Sequence, residues 1–137
     1  MKFFLDANIL VSVLNKEYPL YTYTSRVLSM AGLPDTKLVT TNICLAIAFY
    51  FAEKKHGRAS AKERIGLLVQ HLDIVDCGNK EAISALQNKK VHDFEDGLQY
   101  YAALHSSCTC IVTNDVDDFY FSDIQVLDPE TFFKKYV

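Results

Sequence analysis

The sequence predicts an α/β fold, a three-layer α/β/α sandwich around a mostly parallel sheet, and three observations carry that prediction. Short apolar runs without helical phase alternate with longer segments whose apolar residues recur at three- and four-residue spacing. No hairpin signal joins one run to the next, so the strands are expected to be parallel and connected through helices. The chain has 137 residues, half of them hydrophobic and 23% charged, which suits one core-forming domain over residues 1–137 and excludes a disordered chain.

Taken in order, Lys2–Leu5 reads as a buried strand ending at Asp6. Ala7–Asn15 follows at once as a helix, with Ile9, Leu10, Val13 and Leu14 at helical spacing. A second helix is expected over Tyr21–Met30, stopped by Gly32 and Pro34, then a strand over Lys37–Thr40 and a long helix over Asn42–Lys55, closed by Gly57. Ser60 and Glu63 have the spacing of a capping box and predict a helix starting there. Ile74-Val75 is a weak strand and Lys80–Gln87 a weak helix. Asp93 is placed to cap a stronger helix, with Phe94, Leu98, Tyr101, Ala102 and His105 as its expected apolar stripe. Thr109–Thr113 reads as a buried strand, Ile124–Leu127 as an edge strand, and Pro129 suits the first turn of a terminal helix.

The net charge of −3 excludes binding to nucleic acid by bulk positive charge but leaves room for an acidic metal site with a local basic rim. Cys44, Cys77, Cys108 and Cys110 form no CxxC pair and have apolar neighbours, as buried thiols of a reducing compartment do. The longest apolar run, Ile43–Ala52, is half of the roughly 20 residues a membrane span requires. With no signal-peptide pattern at its start, the chain is expected to be cytoplasmic and without a membrane partner.

Sites in open α/β sheets form at the carboxyl ends of the strands. The first strand ends at Asp6, and Thr109–Thr113 runs into Asn114, Asp115, Asp117 and Asp118. The helix entering that strand opens with Asp93, Glu95 and Asp96. From Val91 to Glu130 there are nine acids and no Lys or Arg, so partly buried carboxylates there must take up protons or a cation. Oxygen ligands without neighbouring His or Cys select Mg²⁺ or Mn²⁺, ions that serve phosphodiester hydrolysis. Each group also has a plain explanation: Asp6 as a helix N-cap, the acids of 93–96 as a favourable first turn, Asn114 to Asp118 as a polar turn. What favours a site is that all three fall where the fold converges.

Phe3-Phe4-Leu5-Asp6-Ala7-Asn8-Ile9-Leu10 resembles the hhhDxNhhh opening of PIN-domain proteins. Asp93-Phe94-Glu95-Asp96-Gly97 through Ala103 resembles their DxxDAxxxAxA helix start, and Ile111–Phe119 their hhTxnxxDF strand end. The resemblance implies Mg²⁺- or Mn²⁺-dependent RNA cleavage, often as the VapC-like toxin of a toxin–antitoxin pair. It implies Asp6, Asp96 and Asp115 as metal ligands, Asp118 as a supporting catalytic acid, and Asn8 and Thr113 as polar residues orienting them. Asp93 is expected to cap its helix rather than bind metal. One departure stands out: Ile47 occupies the place where the family usually carries a glutamate, and the next acid, Glu53, faces away.

Lys54, Lys55, Arg58, Lys62 and Arg64 cluster between two helices, and Lys54, Lys55 and Arg58 are candidate RNA contacts, although the interleaved Glu53 and Glu63 favour a solvated helix end. Tyr50, Phe49, Phe51 and the tyrosines near residue 20 suit base stacking, core or a dimer contact. The sequence thus predicts a metal-dependent endoribonuclease with RNA as substrate, an antitoxin as partner and a homodimeric state. The alternative is a weak or inactive relative, because of Ile47. A phosphoryl-transfer or receiver-like domain is disfavoured, since no phosphate loop or suitably placed lysine accompanies Asp115.

Overall fold

A computed structural model describes residues 1–137. Its five strands are β1 (Lys2–Leu5), β2 (Lys37–Thr40), β3 (Asp73–Ile74), β4 (Cys110–Val112) and β5 (Gln125–Leu127). All four pairings are parallel and the spatial order is β3-β2-β1-β4-β5. Phe3, Phe4, Leu5, Ile111 and Val112 are all buried, so consecutive residues of the central strands point into covered faces on both sides of the sheet. The seven helices that cover it are α1 (Ala7–Asn15), α2 (Tyr21–Ser29), α3 (Asn42–His56), α4 (Arg58–Leu68), α5 (Asn79–Gln87), α6 (Phe94–His105) and α7 (Pro129–Tyr136). This is the three-layer sandwich expected. Phe132 of α7 meets Phe3 edge to face at 4.8 Å and closes the core beneath β1.

Strand order reverses between β1 and β4, whose register pairs Leu5 with Val112. The residues just after these partners, Asp6 and Thr113, therefore leave the sheet side by side at its switch point.

Two local expectations need correction. Ser60 does not start a helix: Gly57, at φ 83, turns the chain and α4 begins at Arg58, leaving Ser60 inside the helix, where its hydroxyl accepts from Arg64 Nε at 3.2 Å. The buried face of α6 is Gly97, Gln99, Tyr100, Ala102 and Ala103, whereas Phe94 is exposed and His105 lies at the surface bonded to Glu81. Gly97 is the close approach on that face, because a Cβ there would stand 2.7 Å from Val91 Cγ1 and 3.0 Å from Ala85 Cβ. All four cysteines are free.

Candidate active site

Asp6 ends β1 and caps α1. Its extended backbone lets Oδ1 accept from the Ala7 amide at 2.8 Å, and its own backbone amide continues the sheet by donating to the Val112 carbonyl at 3.1 Å. Oδ2 accepts from the Thr113 hydroxyl at 2.9 Å. That hydroxyl is fully used, because it also accepts from Asn8 Nδ2 and from the Asp115 amide, each at 3.1 Å. Asn8 in turn donates to Asp115 Oδ2 at 3.1 Å and accepts from the Asn114 amide at 3.2 Å through Oδ1. The supporting roles expected of Asn8 and Thr113 thus have a physical form: the two side chains tie the ends of β1 and β4 together and fix the spacing of Asp6 and Asp115.

The third element is the start of α6. Asp93 caps it, accepting from the Asp96 amide at 3.1 Å, and so aims Asp96 from the first turn into the same cleft. The cleft has a volume of about 510 Å³ and opens to solvent. Asp6, Asp93, Glu95, Asp96, Asp115 and Asp118 line one end of it, with Glu17 at another point of the wall, and no Lys or Arg is among the lining residues. The sequence-predicted acids therefore meet. The candidate RNA contacts do not join them. Lys55 Nζ binds the Asn15 carbonyl at 2.5 Å, Arg58 pairs with Glu53 at 3.5 Å, and Lys54 lies 4.4 Å over the Tyr50 ring, all at the far end of α3.

The electrostatics follow from that lining. Burial lifts the Asp96 carboxyl from its ordinary 3.8 to about 7, with the charges of Asp93, Asp6, Asp118 and Glu95 adding to it. Burial likewise raises Asp6, and its bonds from Ala7 and Thr113 offset part of the rise while Asp115 and Glu95 add to it. Beneath Asp6 lies the buried Cys44 thiol, 4.0 Å from Oδ1; burial and the Asp6 charge push it up to about 12, so it stays protonated and donates toward the carboxylate.

No three acids converge tightly enough to cage an ion. A divalent cation that keeps several waters and takes only one or two direct carboxylates has no need of such a cage, and Mg²⁺ behaves that way. The donor set fits such an ion: hard oxygens, an unspent lone pair on Asp6 Oδ2, and mutual repulsion with no basic residue on the cleft wall.

Ile47 sits on the α3 wall of this cleft, half-buried, facing the space shared by the acids. Sequence reasoning missed Glu17, Val11 and Phe51 as cleft residues. Val11 is three positions after Asn8 and Phe51 four after Ile47, spacings that put each on its neighbour's face. Glu17 carries no such signal, since it lies beyond the α1 C-cap, where Lys16 turns the chain at φ 50.

A family model for the PIN domain matches residues 2–117, from β1 through the acidic turn after β4. The chain belongs to the PIN-domain family. Ribonuclease VapC1 of Aquifex aeolicus is 27% identical over 142 residues, an alignment covering 98% of this chain and 95% of that protein. Among solved structures, this PIN domain superposes on VapBC2 of Rickettsia felis, bound to a DNA fragment from their promoter, with a TM-score of 0.73 at 18% identity. That match covers 93% of this chain and 98% of the other. VapBC-1 of nontypeable Haemophilus influenzae gives 0.70 at 21% identity, covering 95% and 99%. At these identities the structural matches speak to the PIN fold. No helix of the chain is long and apolar enough to cross a membrane.

Proposed function

We propose that this PIN-domain protein is a divalent-metal-dependent endoribonuclease of the cytoplasm and the toxin of a toxin–antitoxin pair. The observation that carries the reading is the acid-lined cleft at the β1/β4 switch point, where Asp6, Asp96 and Asp115 meet with no cation to balance them. The likeness to a VapC ribonuclease and to two VapBC structures supports both the activity and an antitoxin partner.

In this reading Asp6, Asp96 and Asp115 hold Mg²⁺ or Mn²⁺, which supplies Lewis acidity at the phosphate and lowers the pKa of water. Thr113 and Asn8 hold two of those carboxylates at fixed spacing, so that little reorganisation is needed when a substrate phosphate arrives. Asp118, on the same wall, orients water from the solvent side. Asp93 keeps the first turn of α6 in place. A second reading, a weakly active relative, draws on Ile47, which leaves the α3 wall without a carboxylate.

The deciding experiment is cleavage of single-stranded RNA with Mn²⁺, with EDTA, and with Asp96→Asn. EDTA should stop the reaction, and Asp96→Asn should slow it by roughly a hundredfold or more, while leaving the metal-free protein at least as stable by removing a repelling charge. Millimolar Mn²⁺ should raise the melting temperature of wild type and not of Asp96→Asn. Equal stabilisation of both would place the metal elsewhere.

A further inference from the structure

Away from Asp6 the cleft changes character. Val11, Ile47 and Phe51 give the cleft an apolar part of its wall, and Glu17 lines it as well. Asp6 caps the start of α1 and Glu17 follows its end, so a nine-residue helix separates them, about 14 Å at 1.5 Å per residue. Glu17 is too distant to share an ion with Asp6 and needs another purpose.

Phe51 is 45% exposed, a large apolar surface for a residue on the wall of a charged cleft. Its ring meets that of Tyr50 edge to face at 5.3 Å, and Lys54 Nζ lies 4.4 Å over Tyr50. Phe51 is four positions after Ile47 and Lys54 three after Phe51, so one side of α3 leads from the acids through an aromatic ring to an ammonium group. Each step is close to one helical turn of about 5.4 Å.

We propose that Phe51 is a stacking platform for a nucleobase flanking the scissile phosphate of single-stranded RNA, with Lys54 receiving the backbone beyond it. The proposal rests on the nuclease reading above and names how its substrate is held. The carboxylate of Glu17 repels a phosphate and accepts from base N–H groups, so the slot beside Phe51 admits a base and rejects the backbone. The Lys54 ammonium about one turn further does the reverse. Alternation of an aromatic face with cations is the pattern by which proteins hold single strands. A flat apolar partner would meet no such alternation.

The chain contains no tryptophan, so Phe51→Trp installs a single reporter. In an Asp96→Asn background with Mn²⁺, a single-stranded oligoribonucleotide of mixed sequence should quench that tryptophan as it binds. Phe51→Leu, which keeps apolar bulk and loses the π-face, should weaken RNA affinity roughly tenfold to a hundredfold, with Phe51→Tyr close to wild type. In the cleaving enzyme the Phe51→Leu effect should fall on KM and spare kcat, with an unchanged melting temperature. Wild-type affinity in Phe51→Leu, or an unquenched tryptophan at saturating RNA, overturns the platform. Loss of cleavage in Asp96→Asn would then still support the nuclease. A halved solution mass in Phe51→Leu with RNA affinity unchanged would also overturn it, assigning the ring to a second copy of the chain. Failure of every form to bind RNA overturns both readings.

Discussion

The two ends of α1 follow the same electrostatic rule and come to opposite chemical ends. At its N-terminus the helix dipole meets the Asp6 carboxylate, and at its C-terminus two cations reach the last carbonyls: Lys55 Nζ on Asn15 at 2.5 Å and Arg64 Nη1 on Leu14 at 3.2 Å. Those bases are spent, because each satisfies a backbone oxygen that the helix leaves unpaired. The acid keeps a lone pair on Oδ2 unspent and faces other acids with no Lys or Arg on the cleft wall. One end of the helix is structure and the other retains free energy that a ligand can use.

The largest effect on that contrast should come from Ile47, on the half-buried wall facing the acids. Because the residue borders the cleft, Ile47→Glu puts a carboxylate into a solvent-connected acidic space rather than a dry core. We expect a lower melting temperature in EDTA, from added repulsion, and a larger rise with Mn²⁺ than wild type shows. Manganese affinity should tighten by about tenfold and RNA cleavage should accelerate, since ligand charge count sets affinity for such ions. Titration calorimetry and thermal melts read the two parts separately. A lower melt with and without metal, beside unchanged cleavage, would return Ile47 to ordinary packing.

Thr113 is next. Its single hydroxyl serves Asp6, Asn8 and Asp115 at once, and Thr113 itself is fully buried. Thr113→Val keeps the shape, takes the hydroxyl donor from the buried Asp6 Oδ2 and leaves the Asp115 backbone N–H without its acceptor. A loss of about 1–3 kcal/mol is expected in urea unfolding, as unsatisfied buried groups cost. Thr113→Ser should recover most of it.

How far this site could be read from sequence divides along the same helix. Asp6, Asp96 and Asp115 were legible because strand termini and a helix start are local features, and α/β topology brings them together without further information. Glu17 was not, and Phe51, which the sequence offers for base stacking, core or a dimer contact, was not legible as a wall of this cleft. The first is delivered by a left-handed turn at Lys16, a conformation no glycine announces, and the second by how α3 packs along α1, a tertiary fact. The α6 stripe was misjudged for a related reason. Its buried face includes Gly97 and Gln99, which carry no apolar signal; Gln99 is tolerated there because its Oε1 accepts from the Thr41 hydroxyl at 2.7 Å. Of the basic cluster after Glu53, which the sequence offers as RNA contacts or a solvated helix end, Lys55 and Arg64 are carbonyl caps.

Acidity offers a smaller handle on the open end. With Asp96 raised to about 7 by burial and by Asp93, Asp6 and Asp118, the folded protein holds a proton that the unfolded chain gives up near 3.8. The native state therefore binds more protons between about pH 4 and 7, and stability must fall as pH rises through that window. The contribution is complete below 4 and gone above 7. Melting temperature in EDTA should decline from pH 5 to 8, and Asp96→Asn should flatten the decline. Mn²⁺ displaces the same proton, so its stabilising effect should grow with pH over that range. A melting curve that rises with pH in EDTA, unchanged by Asp96→Asn, would place the proton elsewhere.

The smallest effect belongs to the bases, and it separates cations that cap from cations that merely neighbour an acid. Arg58 pairs with Glu53 at 3.5 Å, but its side chain is 78% exposed, so water screens the attraction and holding both chains in one geometry costs entropy. Arg58 reaches no backbone carbonyl in the structure, and Arg58→Gln should leave the melting temperature within roughly 2 °C of wild type. Arg64→Gln removes the partner of the Leu14 carbonyl and the bond to Ser60 at 3.2 Å, together with the cation that complements the end of α1. Its loss should exceed that of Arg58→Gln and should persist in half-molar salt, because a part-buried hydrogen bond to a carbonyl is screened less than an exposed ion pair. Equal, salt-sensitive losses for the two variants would mean that the C-terminal end of α1 is held by diffuse charge, and its contrast with the Asp6 end would be one of sign alone.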